Sequence, residues 1–327
     1  MRPSGLLGRS VTSVAILDGD AGTSSRARLA LTGADVPASV FVKMTAETAA
    51  TRLMGELGRL ADTEVRFYRE LSDRIDDVPA CHGATFDPVT GRFVLVLEDL
   101  AVESCEFPDT VHPLDPDRAA LIVELLARVH ATFWRRLAPH PWVYTASADA
   151  TSLLTGSLAN ASVRRLEGKT SIPVRTGQFI NDNYRAVATL IDRGPHTIMH
   201  GDAHPGNVYL RNGRAGLLDW QAVRRGHPSR ELSYTLITSM TTEARVENQR
   251  ELLDVYRAAL HAAGGPEIDR DELWHRYRLA ALYAYVATLI TAGMGGMQDE
   301  NIALEGLGRA VSALDDLDTV YALKGSL

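Results

Sequence analysis

The chain reads as an α+β protein, a β-rich first part followed by a mostly helical one, and three observations predict this. Before about residue 100, four short runs carry strand-like patterns separated by Gly- and Asp-rich turns. After about residue 118, apolar residues recur at helical spacing over much longer segments. Between them Glu98 to Asp117, "EDLAVESCEFPDTVHPLDPD", lacks periodicity and contains Pro108, Pro113 and Pro116, as a connector does. The expected organisation is therefore 1–97, a connector at 98–117, and 118–327.

Taken in order, Val11–Leu17, Ser25–Leu31, Ser39–Met44 and Arg92–Leu97 read as strands, from their alternating or continuous apolar residues. Ala46–Leu71 reads as helix, broken near Gly58. The later helices are expected at Arg118–Leu137, Gln178–Asp192, Arg230–Met240, Thr242–Ala263 and Asp271–Ala292. Val208–Leu210 and Ala215–Leu218 flank Arg211-Asn212-Gly213-Arg214, and Asn-Gly between two apolar runs is the strongest short-range signal for a tight hairpin. Leu279–Met297 carries no charge over a span of membrane-helix length. Its two Tyr, two Thr and terminal Gly cluster, and the charged run "DELWHRYR" before it, predict a buried core helix instead.

Composition narrows the function classes. The chain has 327 residues, 45% of them hydrophobic, enough for a substantial core. A net charge of -7 argues against a general nucleic-acid binder, which needs a basic face, and favours a small-molecule partner. Cys81 and Cys105 alone make neither a disulfide framework nor a zinc-type spacing, and a reduced, cytoplasmic setting is expected. The N-terminal "MRPSGLLGRSVTSV" lacks the apolar run of a secretory signal, so no cleaved signal is expected, and neither is a membrane partner.

The densest chemistry lies in "IMHGDAHPGNVYLRNGRAGLLDWQ", Ile198 to Gln221. Folding at Asn212-Gly213 sets residues whose numbers sum to about 425 opposite each other, and this is expected to bring Asn207 toward Asp219. Asp202 lies upstream in a Gly- and Pro-containing loop. A carboxylate base with an amide and a carboxylate ligand would suit a hard cation such as Mg²⁺, which takes oxygen donors and leaves room for phosphate. His200, Asp202 and His204 also spell H-x-D-x-H, a metallohydrolase-like run, but no further ligands follow in a recognisable pattern. His200 and His204 are expected to support the loop structurally, with His130 packed beneath it and Trp220 in the core.

Upstream, "ILDGDAGTSSRARL" places Gly19 and Gly22 with Ser24 between two strands, where backbone N–H groups approach phosphates closely. Lys43, in the apolar strand "SVFVKM", costs energy unless it snorkels at a sheet edge or finds a partner. Glu64 on "TEVRFYREL" offers that partner, with Glu56 a second candidate.

The Gly-containing turn, strand Lys43, helix Glu64, "LEDL", "HGDAHPGN" and "LLDWQ" together resemble the protein-kinase-like phosphotransferases that act on small molecules, including aminoglycoside phosphotransferases and choline kinases. "EVRFYREL", "LARVHATFW" and "LLDWQAVRRGHPSRELSYTL" look closest to bacterial members of the ecdysteroid-kinase-like group. The resemblance runs from about Val11 to Tyr234, and the H-R-D and D-F-G motifs of protein kinases are missing.

It implies a kinase-like bilobal fold, with 1–97 as the nucleotide-binding lobe and an acceptor pocket in 118–327. It further implies an ATP- and Mg²⁺-dependent transfer to a hydroxyl. In that scheme Asp202 is the catalytic carboxylate, Asn207 and Asp219 hold Mg²⁺, Lys43 contacts phosphates and Glu64 fixes Lys43. Leu97, Glu98 and Leu100 would line the adenine site, and Tyr283 or Tyr285 the acceptor pocket. Relatives usually read G-x-P-x-x-D-L after the metal Asp, where this chain has Glu231. A catalytically silent nucleotide-binding module is the alternative. The acidic residues of the connector and C-terminal region, such as Glu103 and Asp315, would suit a polycationic acceptor if they are not simply solvated surface.

Overall fold

A computed structural model describes residues 10–21, 24–46, 48–102, 104–137, 140–296 and 298–327. Gly22, expected in the phosphate turn, and Glu103 of the acidic connector lie outside the described residues. The chain divides into two compact units, residues 1–106 with 209–222, and residues 107–208 with 223–327.

The first unit is built on a five-stranded antiparallel sheet in the order β1-β2-β3-β5-β4. Its strands are β1 (Ser10–Ala21), β2 (Ser25–Ala34), β3 (Ser39–Met44), β4 (Cys81–Phe86) and β5 (Phe93–Glu98). The four expected strands are present. β4 was not expected, because "CHGATF" has no apolar alternation and its residues are only partly buried. β3 is central, paired with β2 and β5, so Lys43 cannot reach solvent along a sheet edge.

Helices α1 (Ala49–Leu57) and α2 (Leu60–Glu70) replace the single helix, and Arg59 at φ 53° makes the break beside Gly58. A left-handed residue cannot continue a right-handed helix. α2 lies over β4 and β5, burying Val65, Phe67 and Tyr68. The same unit takes in the hairpin arm: β8 (Arg214–Leu217) pairs with β7 (Val208–Arg211) through Asn212 and Gly213, both with positive φ, as a type I′ turn requires. Beyond it Trp220 stacks on Phe67 with ring centroids 4.0 Å apart and planes 5° from parallel.

The second unit is mostly helical. α3 (Pro116–Phe133) starts where Asp115 accepts the Arg118 N–H at 2.8 Å and Pro116 takes the first turn, two residues before the expected start. The central helix is α9 (Arg270–Met294), packed against α4 (Ser152–Leu166), α7 (Ser229–Ser239), α10 (Glu300–Asp316) and α11 (Thr319–Ser326). α8 (Thr242–Ala262) packs against α3. Gln178–Asp192 is two short helices, α5 (Gln178–Asp182) and α6 (Tyr184–Ile191), and β6 (Thr197–Met199) pairs with β9 (Arg224–Gly226). α4 and α10 escaped the sequence reading because Gly156 in one and Gly306 and Gly308 in the other dilute their apolar period. The uncharged stretch from Leu279 forms the inner part of α9, with Ala280, Ala281, Ala284 and Tyr285 fully buried. No helix among the described residues is long and apolar enough to cross a membrane.

Candidate active site

In the first unit Lys43 is 4% exposed and its ammonium donates to Glu64 Oε1 at 2.9 Å, Glu64 Oε2 at 2.7 Å and Asp219 Oδ1 at 2.8 Å. All three N–H bonds are thus used. The strand supplies the lysine, α2 the glutamate and the segment after β8 the aspartate. Glu64 is therefore the partner that the apolar strand required. Glu56 points elsewhere, at the β4–β5 turn near Gly91. Burial pushes the Glu64 carboxyl up to about 7 against the opposing pull of Lys43, while burial lowers and the two carboxylates more than restore the Lys43 pKa, which ends above its ordinary value. Asp219 sits at φ 58°, a left-handed backbone that a short polar side chain tolerates.

The remaining expected nucleotide residues lie in the same unit. Gly19 is within β1, opposite Ala27, where a Cβ would stand 3.0 Å from Arg26 O. Ser24 is buried just before β2 and lines a cavity of about 330 Å³ that Glu64, Thr45 and Gln221 also border. Leu97 and Leu100 are buried. Glu98 has its N–H on Ala80 O at 2.8 Å, and its carboxylate receives Ala80 N–H and the Arg211 guanidinium. Next to it Asp99 is gripped by Arg28 and by Ser39 Oγ at 2.6 Å, which fixes the start of the connector.

In the second unit the segment after β6 turns at Gly201, φ 86°, a conformation that L side chains rarely adopt. The turn is clamped from several sides. Glu231 accepts Gly201 N–H at 2.7 Å and His200 N–H at 3.2 Å, and Tyr283 Oη donates to Gly201 O at 2.6 Å. Behind Glu231, His130 Nε2 lies 2.8 Å away, and His130 Nδ1 meets Tyr256 Oη at 2.9 Å, all of it buried. Burial, the largest single influence, acts to raise the Glu231 carboxyl, and His130, His200 and the Gly201 N–H together outweigh it, leaving the pKa below the ordinary value.

Asp202, which follows the turn, receives Tyr234 Oη on Oδ1 at 2.8 Å. Asn207 Nδ2 donates to Asp202 O at 2.9 Å, leaving the amide oxygen as that side chain's acceptor. His200 Nδ1 accepts Asp202 N–H and His204 Nδ1 accepts Gly206 N–H, so both histidines are engaged with loop backbone. Among the described residues no group of three or more His, Cys, Asp or Glu is arranged to hold a metal. Tyr285 is a core residue bonded to Val174 O, and only Tyr283 of the two expected wall tyrosines stands at the loop. Tyr234 was not foreseen. It follows Glu231 by three positions, one helical turn, and that spacing was the available signal.

The model of the ecdysteroid kinase-like family matches residues 26–264. The chain belongs to the ecdysteroid kinase-like family. This places it in the protein-kinase-like superfamily of small-molecule kinases. The GDP and kanamycin complex of APH(2")-IIia has a fold similar to this family member, with a TM-score of 0.56, 13% identity, and coverage of 95% of this chain and 96% of that one. An ethanolamine kinase from Plasmodium vivax gives 0.54, 10%, 92% and 81%. Choline kinase LicA from Streptococcus pneumoniae gives 0.52, 16%, 94% and 94%. At these identities the likeness is one of fold. No curated protein matches the sequence.

Proposed function

We propose that this ecdysteroid kinase-like protein is an ATP- and Mg²⁺-dependent O-phosphotransferase acting on a hydroxyl of a small molecule. The observation that carries the proposal is the buried Lys43 ammonium held between Glu64 and Asp219. A lysine in a central strand with a carboxylate on either side is a costly arrangement unless its charge is used. Phosphoryl transfer uses it, because positioning and neutralising the phosphates is most of the catalysis.

The contacts support a division of labour. Glu64, with only 1% of its side chain exposed, is the permanent partner that aims Lys43. Asp219, 20% exposed, is the exchangeable one, so a phosphate oxygen would take its place on Nζ. Asp202 orients the acceptor hydroxyl and receives its proton, held by Tyr234 Oη on Oδ1 and by Asn207 Nδ2 at 3.4 Å from Oδ2. Asn207 and Asp219 fit Mg²⁺, both offering oxygen donors, and Asn207 with its nitrogen already anchored. When bound, the cation would neutralise phosphate charge. Ser24, Gly19 and the segment Leu97–Leu100 are assigned to the nucleotide. A cytoplasmic setting agrees with Cys81 and Cys105 standing as thiols rather than in a disulfide.

The test is ADP release by the purified chain with ATP and Mg²⁺ over a panel of hydroxylated acceptors, beside Asp202→Ala. Acceptor-dependent release that disappears in the variant, with nucleotide binding retained, is the expected result. Release unaffected by Asp202→Ala would overturn the assignment.

A further inference from the structure

We infer, on the phosphotransferase reading above, that the acceptor of this chain carries an oxyanion, a carboxylate or a phosphate, and that Arg230 receives it. Arg230 lies in the first turn of α7 and is 6% exposed. Its guanidinium lies over the Tyr283 ring, Cζ 3.9 Å from the centroid. Tyr283 packs on Tyr234 at 5.1 Å, and Tyr234 holds Asp202. The cation thus stands behind the two rings that touch the catalytic turn.

What is unusual is its lack of a counter-charge. Nε and Nη1 of Arg230 are buried and find no hydrogen-bond partner. No carboxylate pairs with it among the described residues. The neighbouring Arg224, by contrast, is matched by Asp149 at 2.9 Å. Asp192 acts on Arg230 through space without an ion pair, and its own Oδ1 is also unbonded. A buried guanidinium with two nitrogens lacking acceptors is a strongly unfavourable state unless something supplies them. Its planar fork suits a carboxylate or phosphate.

The geometry also disfavours the opposite class of acceptor. A quaternary ammonium or polyamine is commonly held on an aromatic face. Here the Tyr283 face is already covered by a cation, and Arg230 and Arg224 both stand close to it. A polycationic acceptor, which the acidic surface residues had suggested, would meet like charge at this point.

The experiment measures inorganic phosphate binding by calorimetry to the full chain saturated with Mg²⁺ and a non-hydrolysable ATP analogue. Phosphate is expected to bind under these conditions, at least tenfold more weakly in Arg230→Gln and less weakened in Arg230→Lys, with choline and kanamycin giving no competition. Absence of phosphate binding, or equal binding in Arg230→Gln, overturns the inference and leaves Arg230 as a guanidinium bridged to Asp192 by water. Binding seen with ADP but excluded by the analogue also overturns it, because the oxyanion would then be the transferred phosphoryl group and not the acceptor's.

A second measurement needs no variant. Phosphate should protect Arg230 of the wild-type chain from phenylglyoxal, read by peptide mass spectrometry, and an Arg230 that never reacts would show that it cannot be reached. Failure of the analogue itself to bind, with Arg230-dependent phosphate binding intact, would count against the phosphotransferase reading while supporting the anion site.

Discussion

Glu231 places one carboxylate oxygen 2.8 Å from His130 Nε2 and the other 2.7 Å from Gly201 N–H, so one buried side chain ties α3 to the turn that presents Asp202. Its removal strands several polar groups at once. Glu231→Ala is expected to destabilise the protein by about 3–5 kcal/mol, the usual range for breaking a buried pair. Glu231→Asp, which keeps the carboxylate on a shorter side chain, should recover part of that. Urea unfolding of the three proteins decides it, and an alanine variant as stable as wild type would show the bracing to be dispensable.

Lys43→Met keeps the length of the side chain and removes the charge that Glu64 and Asp219 share. Turnover should fall on the order of 10²-fold, the scale seen when one preorganised donor to developing charge is lost. Lys43→Arg should not rescue it, because a planar fork does not fit a site shaped for a point charge. Steady-state rates of the two variants are the readout.

Tyr234→Phe deletes one hydroxyl from Asp202 Oδ1 and leaves the ring packed on Tyr283. Losing a hydrogen bond to a charged group costs about 1.5–3 kcal/mol, roughly tenfold to a hundredfold in kcat. The dissociation constant for nucleotide should not move. A change in nucleotide affinity with kcat intact would contradict the positioning role.

Burial pushes the His227 imidazole down to about 3, and Nδ1 accepts the Ser229 N–H, which requires it unprotonated. The folded state therefore binds a proton less readily than the unfolded chain does. Stability from this group is complete above about 6.5, the unfolded pKa, and is lost as pH falls from there toward 3. By pH 5 the loss should be about 2 kcal/mol. Thermal unfolding from pH 7 to 5 should show it, and His227→Asn should flatten that limb.

The sequence conveyed the fold class, because a period of two and a period of three to four leave different marks, and it conveyed Lys43 and Glu64 as a charge in an apolar run with its partner, and Asp202, Asn207 and Asp219 as polar residues crowded around a tight hairpin. Lys43 and Glu64 are the clearest case, an odd residue in a strand and its partner on a helix shortly after it. What escaped was written in ordinary residues. Tyr234 and Tyr283 are aromatic positions on helices, indistinguishable in one dimension from core. Arg230 is conspicuous only for the carboxylate it lacks, and a missing contact has no signature in a string. Helices α4 and α10, both packed on α9, were hidden by glycines that lower local helix propensity.

The stack of Trp220 on Phe67 gives this protein an optical handle. Phe67 lies three positions, about one turn, beyond Glu64 on α2, and Trp220 is the neighbour of Asp219 in sequence. Any tilt of α2 that drew Glu64 off Lys43 would slide one ring across the other and alter the indole's surroundings. With Trp134, Trp142 and Trp274 replaced, the emission of the single remaining indole would register in real time whether the lysine is aimed.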